Sequence, residues 1–412
     1  MSRPRVLLSH PTGNQNVRNA LASLTDREML AEFWTTVAWD TQSGWNCLLP
    51  SRMRMLLERR AYPGTPTKLV RCFPWKEMVR LAAEPTLLKS PLASRERAFS
   101  IIGVYWHFDG QVARRLSSLR PNAVYAYEGG ALQTFSEAKR LGITTLYEQP
   151  SNYWYWVRQM LTEEAVRSPE FADLLPNLED STGHLEWKDE ELALADYVLV
   201  PSQHVRRTLA GAVLEKKSVW SLTVLPRSGN GRGFPSTPLG RCRFFFGTLA
   251  QHKGIGYLLD AVERTGSQVE LTLVGKLFQP NAHEDAACYR WRWFESLPNS
   301  AVLNMMTEAD VIVLLSLAEG CALVVLEALS SGLPVIVTPN TGSLEFMRDG
   351  WQGFVVPICR SDAIADRLST HFHDRKVLGA MSRNVQATAT EKSGEKYRAI
   401  FADTLRAVVS CS

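Results

Sequence analysis

Two glutamates, Glu319 and Glu327, stand eight positions apart in the stretch ADVIVLLSLAEGCALVVLEALSSGLPVIVTP, and the residues around them say what they can do. Val311 to Leu315 is a short β-branched run, apolar on both faces, which reads as a fully buried parallel strand. Glu319-Gly320 breaks that run. From Cys321 the pattern turns helical and continues to Ser331, where Gly332 can supply a left-handed C-terminal cap and Pro334 prevents continuation. Val335 to Thr338 is the next strand. At about 1.5 Å per residue a helix would hold the two carboxylates roughly 12 Å apart, a gap that suits an extended ligand better than a single reacting atom. Between them the free N–H groups of Gly320, Cys321, Ala322 and Leu323 open a helix, where unpaired donors and the dipole favour phosphate. The simplest ligand with hydroxyls at both ends and phosphate in the middle is a nucleotide-sugar, with Glu327 accepting from ribose and Glu319 from the transferred sugar. Glu327 sits on a helix apolar nearly all round, where a carboxylate without a partner is costly.

Other residues could serve the same ligand. Cys242 to Gly247 reads as a strand, followed by Thr248-Leu249-Ala250-Gln251-His252-Lys253-Gly254 and a helix from Tyr257 to Val262. Lys253 lies beside that helix N-terminus, where a diphosphate can be held by point charge and backbone together, and Gly247 and Thr248 lie within reach of the same ligand. Near the start, Arg5 to Ser9 leads into His10-Pro11-Thr12-Gly13-Asn14. Gly13 and Asn14 could approach a phosphate or sugar, or form a plain βα turn. His10 could act as a base or simply hydrogen-bond that turn. No GxGxxG follows, which disfavours a dinucleotide fold of the dehydrogenase type.

Positioning these residues requires alternating strands and helices. Strands are expected at Ala123 to Tyr127, ending in Glu128, and at Thr144 to Tyr147, ending in Glu148-Gln149-Pro150, with helices at Val112 to Leu119 and Thr134 to Leu141. Alternation of this kind predicts a parallel sheet with helices on both faces, whose post-strand loops share one cleft. Glu148 is then a candidate acceptor or base, or a cap. Asn152-Tyr153-Trp154-Tyr155-Trp156 offers an aromatic platform for an acceptor, or an anchor in the core. An acidic helix from Glu186 runs into the strand Tyr197 to Val200, then Pro201-Ser202. The stretch 228–241, SGNGRGFPSTPLGR, is rich in Gly, Pro and Ser and reads as a linker. It separates a domain at 1–227 from a second at 242–394, with a final helix in 395–412.

The segment Glu319-Gly320-Cys321-Ala322-Leu323-Val324-Val325-Leu326-Glu327, with SGLPVIVT and then DGWQGFVVP after it, resembles the E-x7-E signature of family-four retaining glycosyltransferases, the glycosyl transferases group 1. The likeness is dense over Cys242 to Pro357 and weaker from Glu186 to Pro226. It implies an α/β protein of GT-B fold: two facing Rossmann-like domains with parallel sheets, the donor held mainly by the second and the acceptor by the first, and the 395–412 helix crossing back to the first domain. It implies transfer of a sugar from a nucleoside diphosphate sugar to a glycan or lipid-linked acceptor, with retention at the anomeric carbon and with neither metal nor cofactor. Lys253 and the helix near Cys321 would stabilise the departing diphosphate. Two departures stand out. Thr248 occupies the place where the family carries an arginine, and Tyr147-Glu148-Gln149 stands where a histidine is common. Hence two rival readings: a catalytically silent binding subunit, and a different enzyme on this fold such as an epimerase or phosphorylase.

Composition narrows the setting. A net charge of +4 over 412 residues gives no reason to expect nucleic acid. Seven cysteines without a CxxC pair fit a reducing cytoplasm and neither a disulfide framework nor a zinc site. The start lacks the apolar run of a signal peptide, and no stretch has the apolar length of a spanning helix. A soluble protein is expected, or one lying on the inner face of a membrane. Ser51 to Arg60, with Met53, Leu56 and Leu57 on one side and arginines on the other, would be either an interfacial helix drawn to anionic lipid or an amphipathic helix packed on its own domain.

Overall fold

The computed structural model describes residues 3–41, 54, 57–87, 98–176, 182–209, 218–221, 242–265, 269–277, 291–306, 308–371, 374–391 and 394–410. The linker expected at 228–241 lies outside them, as does most of the Ser51 to Arg60 segment.

Two parallel sheets organise the chain. The first contains β1 (Val6–Ser9), β2 (Leu30–Thr35), β3 (Val70–Cys72), β4 (Ala123–Tyr127), β5 (Thr144–Glu148), β6 (Tyr197–Val200) and β7 (Ser218–Ser221), in the order β3-β2-β1-β4-β5-β6-β7. The second contains β8 (Cys242–Leu249), β9 (Val269–Leu277), β10 (Trp291–Phe294), β11 (Val311–Leu314), β12 (Val335–Val337) and β13 (Gly353–Val355), in the order β10-β9-β8-β11-β12-β13. In both sheets the order reverses beside the first strand. Such a switch point leaves a crevice at the carboxyl ends of the strands.

The apolar runs that looked two-sided in sequence are two-sided in space. Val6 and Leu8 pack with Val17 and Leu21 on one face of the first sheet, while Leu7 meets Phe108, Val112 and Phe135 on the other. In the second sheet Val311 and Val313 face Leu258 and Ala261, and Ile312 and Leu314 face Val325 and Leu329. Successive side chains of a strand point to opposite faces, so a central strand covered on both sides is apolar at each position unless a polar side chain there finds a partner. The helix after β11 spans Leu323–Ser330 and begins two residues later than the sequence pattern suggests. It ends as expected: Gly332 has φ 81°, its N–H reaches Leu329, and the Leu333 N–H reaches Ala328.

β2 was not legible in the sequence. Its run LAEFWT carries Glu32, which is 3% exposed and held by Arg115, Arg71 and the Trp34 indole. The partners lie 83 and 39 residues away from it in the chain, so no local pattern announces that this carboxylate can be buried. Of the Ser51 to Arg60 segment, Leu57 is buried and Arg60 forms a buried ion pair with Glu77 at 2.5 Å. That places the end of the segment against its own domain.

The final helix, Gly394–Ser410, returns to the first domain. Ser23 Oγ donates to the Arg398 carbonyl at 2.5 Å, and the Phe401 ring lies 5.6 Å from that of Tyr125. The two domains also touch directly. Ser202 Oγ donates to the Gly320 carbonyl at 2.7 Å, and the Gln203 N–H donates to the Glu345 carboxylate. Glu164, fully buried on the helix Trp154–Arg167, accepts from Gln251 at 2.6 Å and from Tyr257 at 2.8 Å across the interface.

Candidate functional site

The cleft between the sheets holds an open cavity of about 310 Å³. The first domain lines it with Glu128, Asn152, Trp154 and Lys188 among others, and the second with His252, Ala318, Glu319 and Gly320. Apart from Lys188, which lies within the helix Thr182–Leu194, these follow the carboxyl ends of strands, where the fold places loops.

Lys253 and Glu319 meet in an ion pair, their side chains 17% and 24% exposed. Burial pulls the Lys253 ammonium down to about 8. The Glu319 carboxylate in contact with it favours the charged form, so at neutral pH Lys253 is a cation paired with Glu319. An incoming diphosphate would compete with Glu319 for that charge.

The helix Leu323–Ser330 begins at Ala322 with no side chain bonded to its first turn. Among the described residues nothing accepts from the Leu323 or Val324 N–H, and both remain available to an anion. Ala322 differs from expectation. Its N–H donates to the Thr341 carbonyl at 3.1 Å, which ties the start of the helix to the loop after β12. Gly320 is needed for close approach: a Cβ there would lie 2.4 Å from the Pro150 carbonyl oxygen of the first domain. Cys321 is partly buried, and burial raises its thiol to about 12, so it is neutral. Glu327 is half-buried, and desolvation raises its pKa. No partner for its carboxylate occurs among the described residues, whereas most other buried acids are held by arginine or backbone.

Glu148 lies beneath the cleft. It is 6% exposed, accepts from the Tyr125 hydroxyl at 2.6 Å, and is pushed up to about 7 by burial. The pleat explains its direction, because Glu148 shares a face with Leu146, and that face packs with Tyr125 and Tyr127. It is not among the residues lining the cavity. The acid that reaches the wall is Glu128, after β4, which pairs with Lys188 at 3.3 Å and accepts from Ser151 at 3.1 Å. Gly13 and Asn14 form a turn. The Gly13 N–H donates to His10 Nδ1 at 2.7 Å, a Cβ at Gly13 would collide with the Tyr62 hydroxyl, and Asn14 caps the helix Gln15–Asp26 through the Val17 N–H at 2.9 Å. Burial and Arg60 lower His10 to about 3, so it serves that turn as a neutral acceptor. Gly247 and Thr248 lie in β8, and their side-chain surroundings fall outside the described residues. In the aromatic cluster, Trp154 lines the cavity while its indole N–H, like the Tyr153 hydroxyl, donates to Asp189. Asn152 and His252, which line the cleft, carried no strong signal beyond their places in post-strand loops.

Residues 241–388, which hold Lys253, Glu319 and Glu327, match the model of the family described as glycosyl transferases group 1. The second domain is a glycosyl transferases group 1 domain. A relative named UDP-Gal:alpha-D-GlcNAc-diphosphoundecaprenol alpha-1,3-galactosyltransferase, from Escherichia coli, is 36% identical over 92 residues, 22% of each protein. The aligned stretches span 24% and 22% of the curated relatives matched. Sucrose-phosphate synthase from Thermosynechococcus elongatus superposes over 100% of both chains with a TM-score of 0.69 at 15% identity. Anabaena HepE, in a structure with UDP-glucose, covers 98% of this chain and is itself covered 100%, with a TM-score of 0.58 at 17% identity. The glycosyl transferases group 1 domain and the sheet that faces it together form a GT-B fold. Among the described residues no helix is long and apolar enough to cross a membrane.

Proposed function

We propose that this protein is a retaining glycosyltransferase that moves a hexosyl group from a nucleoside diphosphate sugar to a hydroxyl of a glycan or lipid-linked acceptor. The observations that carry the reading are the ion pair of Lys253 with Glu319, which lines the cleft, and, a few residues further along the chain, the Leu323 and Val324 N–H groups and the Glu327 carboxylate, none of which has a partner among the described residues. The diphosphate would bind at Lys253 and the helix start, and the ribose hydroxyls would donate to Glu327. Glu319, released from Lys253 as the diphosphate takes its place, would accept from the sugar.

As the anomeric bond breaks, negative charge builds on the leaving diphosphate. Donors already fixed in a poorly hydrated site stabilise that charge without reorganising, which makes this electrostatic contribution the main one. In this mechanism Lys253 and the helix N-terminus neutralise the charge without a metal or an organic cofactor. The leaving phosphate takes the acceptor's proton, so Glu148 in its buried place is not required as a base. UDP is the nucleotide class we favour, because the Escherichia coli relative is named for UDP-Gal and HepE was solved with UDP-glucose. The lipid-linked acceptor is favoured by the same relative's name, and would be met at the cytoplasmic face of a membrane.

The test is release of UDP from UDP-glucose or UDP-galactose by purified protein, with the anomeric configuration of the product read by NMR. Release with the donor's configuration retained supports the reading. Binding without release in the presence of glucosyl, galactosyl and N-acetylglucosaminyl lipid acceptors would make the protein a silent binding subunit. An epimerised donor would make it an epimerase.

A further inference from the structure

Two side chains on the cleft wall carry buried polar atoms without partners among the described residues. Asn152, in the loop after β5, is 3% exposed, and neither its Oδ1 nor its Nδ2 makes a hydrogen bond. On the opposite domain, Nδ1 of His252, one residue before Lys253, is likewise buried and unbonded. Both residues line the cavity that Glu319 and Gly320 line. The polar groups around them are committed elsewhere: Glu128 to Lys188 and Ser151, Lys253 to Glu319, and the Trp154 indole to Asp189.

A buried carboxamide with both polar atoms unsatisfied is costly to the fold, and native proteins keep few such groups. One at the wall of a cleft is explained by a ligand that completes it. A carboxamide offers a donor and an acceptor side by side, the pattern that sugar hydroxyls match because each both donates and accepts. The imidazole is a neutral partner: burial, then the neighbouring Lys253, lowers His252 to about 4, so at pH 7 the ring offers a hydrogen bond and no charge, which suits a hydroxyl.

We propose that Asn152 and His252 together form a subsite that reads the hydroxyls of an uncharged hexosyl ring held between the two domains. This rests on the glycosyl-transfer reading and adds to it a specificity site drawn from both walls of the cleft. The ring comes either from the donor or from the acceptor, and the experiment separates the two.

Asn152→Ala, Asn152→Leu and His252→Ala would be compared with the wild type by calorimetric titration with UDP, UDP-glucose and UDP-galactose. Free glucose and N-acetylglucosamine would then be titrated, by saturation-transfer NMR, into protein loaded with UDP. If the ring is the donor's, the variants bind UDP as the wild type does and bind at least one UDP-hexose about 10-fold more weakly. If it is the acceptor's, donor affinities hold and the free-sugar signal falls by a similar factor. Because the Asn152 side chain makes no hydrogen bond among the described residues, Asn152→Leu should melt at or above the wild-type temperature. A melting temperature well below it would mark Asn152 as structural and overturn the proposal. So would folded variants that bind every probe within twofold of the wild type. A wild type that binds no nucleotide would instead remove the glycosyltransferase reading, and the subsite with it.

Discussion

Lys253 gives the sharpest test of the donor site, because its environment fixes both the size and the pH dependence of its effect. Burial holds its ammonium at about 8 in the free protein, against roughly 10.4 for an unperturbed lysine. The protonated form is the one that attracts a diphosphate. Donor affinity is therefore full below pH 8 and falls as pH rises through that value. At pH 9 about one lysine in eleven is protonated, so Kd for UDP-glucose should rise about 10-fold, and each further unit adds another factor of ten until contacts other than this charge set a floor. That floor is the affinity of Lys253→Ala. A hydrogen bond to a charged group contributes about 1.5 to 3 kcal/mol, so the variant should bind roughly 10- to 150-fold more weakly at pH 7, with little change between pH 7 and 9. Lys253→Arg supplies the internal control. A guanidinium stays protonated across this range, so its profile should be flat apart from any ionisation of the ligand itself. Calorimetric titration at pH 7, 8, 8.5 and 9 measures all three proteins. A wild-type profile that matches that of Lys253→Arg would refute the reasoning. So would a Lys253→Ala variant with wild-type affinity at pH 7.

Two further outcomes follow from the same site. Glu327 has a raised pKa and no partner among the described residues, so its charge opposes folding above the unfolded carboxylate pKa of about 4.3. Glu327→Gln should therefore melt at or above the wild-type temperature at pH 7, show no such gain at pH 3, and lose about 10-fold or more in UDP affinity; a clear drop in melting temperature at pH 7 would show that the carboxylate serves the fold. A Cβ at Gly320 would meet the Pro150 carbonyl oxygen of the first domain at 2.4 Å, and one at Gly342 would meet the Ser202 Oγ of the first domain at 2.9 Å as well as the Gly320 carbonyl oxygen of its own domain at 2.2 Å. Either substitution by Ala should push the domains apart, seen as a larger radius of gyration in small-angle scattering and slower turnover, and an unchanged radius with wild-type turnover would count against close approach as the reason for these glycines.

Much of this protein is determined locally, and those parts could be read from the sequence alone. The central strands β4, β11 and β12 are apolar runs covered on both faces, and the helix after β11 is closed by Gly332 and Pro334 through backbone geometry. Glu319, Glu327 and Lys253 are legible because chain spacing at strand ends fixes their places. Tertiary structure decided the rest. Glu32 makes β2 possible only through Arg71 and Arg115, which are distant in the chain. Which of two similar acids faces the cleft depends on the pleat and on what covers each face: Glu148 is turned under Tyr125, while Glu128 stands beside Lys188. The Ala322 N–H, free on the evidence of helix pattern alone, is taken by Thr341 from the loop after the next strand. Asn152 and His252 belong to different domains, and only the approach of those domains places both on one cavity. Sequence spacing specifies contacts within a strand, a turn or a helix, because the backbone there has few conformations. It says little about surfaces that meet only once two sheets have formed and closed on each other.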